Sequence, residues 1–184
     1  MDRGALLKEI SGTLVKADIE RLSTIICESK FPVGELLNLT FYPQKETAFR
    51  AAWILEHLVL TDLDNFRPYI VKFLDCYPKQ ANQSCRRHFA KILANLTAPK
   101  HVKKYLIPEM YSMDCVVEKT FEWLIDPKTP VAVKVYCMEG LFNLKKHAPW
   151  IREELEAEII FLLHDGGAAL QSRGKAILKK LSRT

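Results

Sequence analysis

DPKTPVAVKVYCMEGLF, residues 126–142, opens on a turn and continues as a helix. Pro127 and Pro130 punctuate the chain, and Thr129-Pro130 sets a capping hydroxyl before a proline suited to a first helical position. Val131, Val135, Met138 and Phe142 then recur at steps of four, three and four. On a helix of about 3.6 residues per turn these positions share one face, whereas a strand would alternate every second residue.

The same pattern appears on both sides of this stretch. Ala48, Ala51, Leu55 and Leu58 form one stripe; Cys85, Phe89, Ile92 and Leu96 form another; Leu170, Gly174, Ile177 and Leu181 form a third, with the glycine as a gap. Each helix has a basic residue near its start: Arg50, Arg87, Lys134 and Arg173. Eight residues earlier stands a turn: Tyr42-Pro43, Lys79 behind Pro78, Asp126-Pro127 and Asp165-Gly166. The basic residues fall 37, 47 and 39 residues apart, the period of a two-helix repeat. A partner helix is expected before each turn, over 33–41, 66–76, 115–125 and 150–163. The long middle interval holds Pro99 and Pro108 and predicts an enlarged connection with one short helix at 102–107.

The stretch Asp126 to Lys134 and the stretch Asp165 to Arg173 resemble the turn and second-helix opening of a HEAT repeat. FRAAWILEHL, residues 49–58, is similar to short bacterial HEAT-like proteins, some of which carry the label adenylosuccinate lyase. The resemblance runs from Phe31 onward, and Tyr42 and Lys79 stand where the first two turns would have aspartate. It implies an all-α fold: a right-handed α-α superhelix, a HEAT/armadillo-like solenoid of about four helix pairs with an N-terminal helical cap. The predicted organisation is a single helical-repeat domain over 1–184, with a cap at 1–30 and helix pairs at 31–60, 66–97, 113–146 and 149–182. Ile19, Leu22, Ile25 and Ile26 are expected to face inward from the cap. Leu55, Ile92, Met138 and Ile177 are expected in the core.

Composition narrows the functional classes. The chain has 184 residues, 48% of them hydrophobic, and only seven glycines, too few for a many-stranded fold with frequent tight turns. No apolar run is long enough to span a bilayer, and the N-terminus lacks a signal-peptide core, so a cytoplasmic location is expected. The five cysteines include no C-x-x-C pair, which argues against a zinc site or a disulfide framework. Four of them lie in apolar runs, where a thiol packs as a small core residue.

No Gly-rich phosphate loop, nucleophile elbow or H-E-x-x-H helix occurs. The five histidines offer no pair three or four apart, so neither metal nor cofactor is expected. The loop that marks true adenylosuccinate lyases, of the Ser-Ser-x-Met-Pro-x-Lys-x-Asn type, is missing, and that label does not fit. Glu56 and His57 are adjacent, and neighbouring helix residues diverge by about 100°, a poor acid–base geometry. They are expected on a polar helix face that borders a groove together with Arg50 and Trp53. Glu118, Glu122 and Asp126 form an acidic ridge, as do Glu154 and Glu158; both read as solvated faces. Trp53, Trp123 and Trp150 read as core.

Charge distribution gives the strongest functional signal. The net charge is +5, yet no acid occurs from Cys76 to Pro108, which carries Arg86, Arg87, Lys91, Lys100, Lys103 and Lys104. These six are expected to form a positive, partner-binding surface. The leading reading is a non-enzymatic HEAT-like interaction module that binds a macromolecular partner on its concave or basic surface. That partner is a protein or another anionic macromolecule. The alternatives are a nucleic-acid-binding protein, including a HEAT-like DNA glycosylase, and a small-ligand lyase or chaperone.

Overall fold

The computed structural model describes residues 1–102 and 111–183. Every regular element among them is helical. The chain forms two compact units, residues 1–92 and 93–184.

The first unit begins with α1 (Arg3–Ser11) and α2 (Lys16–Glu28), the expected cap. Asp2 starts α1 by accepting the Ala5 N–H at 2.8 Å, and Asp18 turns back to the Val15 N–H at 3.0 Å. Both bonds satisfy amides that an isolated helix start leaves open. Two helices follow, α3 (Val33–Leu39) and α4 (Lys45–Thr61). α4 packs against α1, α2 and α3 and buries Ala48, Ala51, Leu55 and Leu58, the predicted stripe. The partner helix expected over 66–76 is divided. α5 (Leu63–Phe66) gives way to a 3-10 turn at Arg67–Tyr69, and α6 (Ile70–Cys76) follows. Pro68 lies in that turn, where its missing N–H breaks the α-helical ladder.

α7 (Gln83–Leu96) carries the second stripe, with Cys85, Phe89, Ile92 and Leu96 all buried. Phe89 is the centre of an aromatic cluster. Its ring lies 5.9 Å from Phe41, 5.1 Å from Phe73 and 6.3 Å from Tyr77 between centroids. Two turns of this unit lie side by side. Gln80 donates to the Thr40 carbonyl at 3.2 Å and Asn82 to the Lys45 carbonyl at 3.0 Å, so polar side chains close the edge above the apolar core. Truncating Leu55 or Ile92 to alanine is expected to cost about 2–5 kcal/mol, read by urea denaturation. Losses near zero at both positions would contradict the packing described.

The second unit contains α8 (Pro99–Val102), α9 (Asp114–Ile125), α10 (Val131–Leu144), α11 (Pro149–Asp165) and α12 (Ala168–Leu181). The rest of the short helix expected at 102–107 lies outside the described residues. α10 packs against α9, α11 and α12. Its predicted stripe is out of phase: Met138 is buried, but Val131 is exposed and Val135 and Phe142 are half-buried. Val133, Cys137, Leu141 and Leu144 are buried instead. A helix with neighbours on several sides is apolar around most of its circumference, and periodicity then does not select one face. The helix also starts one residue later than predicted, at Val131, with Pro130 as the capping residue.

Asp126 shapes the turn before α10. Its side chain accepts the Lys128 N–H at 2.9 Å and its carbonyl accepts the Thr129 N–H at 3.0 Å. Gly166 ends α11, where a Cβ would stand 2.4 Å from the Leu162 carbonyl oxygen. The gap at Gly174 is a close approach: a Cβ there would lie 3.0 Å from both Ile159 and Leu163 of α11. Of the cysteines, Cys85 and Cys137 are core residues, and burial pushes the Cys85 thiol up to about 12. Cys27 and Cys76 are only half-buried and Cys115 is exposed, so apolar neighbours in sequence overstated their burial.

Candidate functional site

The residues expected to border a groove have structural partners. Arg50 extends from α4 to the end of α1 and donates to the carbonyls of Ile10 at 3.1 Å and Ser11 at 3.3 Å. Those carbonyls lack helical partners, and a cation is favourable there. Trp53 is half-buried against Phe49, with ring centroids 6.0 Å apart. Glu56 is not on a solvated polar face: it is only 6% exposed. Its partner is not His57 but His88 of α7, whose Nδ1 lies 2.6 Å from Oε2. Lys91, one turn further along α7, donates to Oε1 at 2.5 Å. The Phe49 ring stands 5.1 Å from the His88 ring and walls the cluster.

The electrostatics follow from this arrangement. Burial pushes the Glu56 carboxyl up, while the His88 and Lys91 hydrogen bonds oppose it and hold the group below the ordinary glutamate range. His88 is 1% exposed, and its Nε2 has no hydrogen-bond partner among the described residues. His88 lies 32 residues from Glu56, so local spacing could not have shown the pair. The cluster ties α4 to α7 through both carboxylate oxygens of Glu56.

The basic stretch is distributed unevenly. Arg87 and Lys100 are exposed and Arg86 is half-buried. Lys91 does not share an open face with Arg87: its ammonium is turned onto Glu56, an acid supplied by α4. Lys100 belongs to the second unit, and Lys103 and Lys104 lie outside the described residues. Two more of the basic residues that mark the repeat hold structure together, as Arg50 does. Lys134 is buried and donates to the Leu124 carbonyl near the end of α9 at 2.6 Å, and Arg173 pairs with Glu139 of α10 at 3.2 Å.

The second unit has a surface that sequence reading assigned to solvent. The acidic ridge of α9 faces Glu154 of α11 across a hollow of about 690 Å3. It is lined by the carboxylates of Glu118, Glu122, Asp126 and Glu154 and by the apolar side chains of Phe121, Ile125 and Trp150. The Phe121 and Trp150 rings pack at 5.6 Å with 32° between planes. Trp150 is not core, being 44% exposed. A second hollow of about 630 Å3 adjoins at Ile125 and is lined by Val131, Ile160, Phe161 and Leu170. Phe161 is 73% exposed. Glu158, one turn beyond Glu154, is pushed up by burial and by Glu154, with Lys134 opposing. Among the described residues no group of histidine, cysteine and acidic side chains could hold a metal ion, and no helix is long and apolar enough to cross a membrane.

Successive helix pairs, turns marked by proline and aspartate, and a stripe of apolar residues in each second helix define an all-α helical-repeat protein. A family model described as HEAT repeat domain matches residues 6–181, and the chain belongs to that family. Comparison with the curated proteins and with the solved structures gives no match.

Proposed function

We propose that the chain is a non-enzymatic interaction module whose partner is a protein. The observation that carries this reading is the apolar surface of the second unit. Ile125, Val131, Trp150, Ile160 and Phe161 are all exposed, and the two hollows they line meet at Ile125. Single exposed apolar residues are ordinary, but a connected group rimmed by polar residues is the character of a protein-binding face. The buried Glu56–His88–Lys91 cluster supports the non-enzymatic part. His88 Nε2, without a partner among the described residues, is itself buried, and a general base must reach its substrate.

The reading is tested by capture from an extract of the native cell, using tagged wild type and an Ile160→Asp/Phe161→Asp variant side by side. One protein species is expected on the wild type and absent from the variant, with both forms melting alike. Equal recovery on both, or none above a mock column, would overturn the reading. A second reading, an anionic partner at the basic residues of the first unit, is favoured by the exposure of Arg87. For duplex DNA, log K would fall with log salt by about 0.9 per phosphate neutralised, and Arg87→Glu would lower that slope. A salt-independent affinity would count against it.

A further inference from the structure

The hollow between α9 and α11 runs against the charge of the chain. Four of its lining residues are carboxylates, in a protein of net charge +5. Glu122 pairs with Lys119, and the Asp126 side chain accepts hydrogen bonds from its own turn. Glu118 on α9 and Glu154 on α11 have no ion pair among the described residues. Both line the hollow, one from each helix, together with the exposed Trp150 indole and the Phe121 ring packed against it. Carboxylates beside aromatic rings in one hollow suit a lysine or arginine side chain, whose alkyl stem packs on the rings while the cation meets the acids.

We infer that this hollow seats a basic segment of a protein partner, one in which lysine or arginine stands beside large apolar side chains. The inference rests on the interaction-module reading and gives the partner its chemistry. The apolar requirement comes from the continuation past Ile125, where Val131, Ile160 and Phe161 line the second hollow. A free metal ion would find aromatic rings in place of converging oxygen ligands, and a nucleic acid would bring phosphates against carboxylates. A short basic-apolar peptide matches both the acids and the rings. Electrostatic attraction to such acids acts on encounter and on partner choice, and added salt weakens it.

The test is selection of a random peptide library displayed on phage against the full immobilised chain. Enriched peptides are expected to carry lysine or arginine next to leucine, isoleucine, phenylalanine or tryptophan. A synthetic peptide of the enriched sequence is expected to bind a Glu118→Gln/Glu154→Gln variant about ten-fold more weakly than wild type. Trp150→Ala should weaken it comparably, because an aromatic anchor contributes more than its neighbours. The glutamine variant alters exposed side chains only, so its melting temperature should match wild type. Enrichment of acidic peptides, of peptides without charge bias, or of nothing would overturn the inference. So would equal affinity for the glutamine variant. The interaction-module reading falls separately, through the capture comparison.

Discussion

Replacing Glu56 by alanine is expected to destabilise the protein by about 3–5 kcal/mol, the usual consequence of breaking a buried ion pair by removing one partner. The magnitude comes from the groups left behind. His88 is buried and would lose the acceptor at its Nδ1, and Lys91 would lose the carboxylate that draws it against α4. Urea denaturation at neutral pH measures the loss, and a change below about 1 kcal/mol would show that the cluster is not a structural tie. The same pair predicts a pH dependence. The folded-state pKa of Glu56 lies below its unfolded value. Its contribution is therefore complete above the unfolded glutamate pKa, near about 4.3, and is lost as pH falls through the lower, folded value. Wild type should lose stability over that acid range more steeply than Glu56→Gln. Parallel acid limbs for the two proteins would contradict the assignment.

Phe89→Ala is the second large effect, with an expected cost of about 3–5 kcal/mol. The ring is fully buried and meets Phe41, Phe73 and Tyr77, so truncation removes its own burial and leaves a void among rigid rings. Phe161→Ala is the internal control. That ring is 73% exposed, and its removal should change stability by no more than about 0.5 kcal/mol. Denaturant midpoints for the two variants decide the matter. Equal midpoints would mean that the core and the open face have been confused.

The fold was legible in the helical spacing of the apolar residues. Leu55, Ile92 and Ile177 are buried as their spacing predicts, and Met138 is buried although the rest of its expected stripe is not. The stripe on α10 was misplaced because its sequence is apolar around most of the circumference and has no single period to read. Pro68 was visible in the sequence, but its division of the expected helix into α5 and α6 depends on neighbours as well as on the proline.

The polar residues were less legible, for a different reason. Glu56 looked solvated because its sequence neighbours give no sign of His88, which approaches from α7. Lys91 looked like part of an open basic face because the acid that holds it lies 35 residues away. The α9 ridge of Glu118, Glu122 and Asp126 was visible as a ridge. That Glu154 and Trp150 face it across a hollow is a tertiary fact, set by how α9 and α11 pack around α10. Charge ridges and aromatic residues acquire meaning only once it is known which helices face one another.

The polar residues of this HEAT repeat chain divide between two roles. Glu56, His88 and Lys91 tie α4 to α7 within the first unit, and the acid-lined apolar face of the second unit is the surface proposed for the partner. Amide chemical-shift mapping of the isotope-labelled chain during titration with the selected peptide tests that division most directly. The predicted result is a set of perturbed amides confined to α9, α11 and the turn at Asp126, with α4 and α7 unchanged. Perturbations centred on α4 and α7 would contradict it.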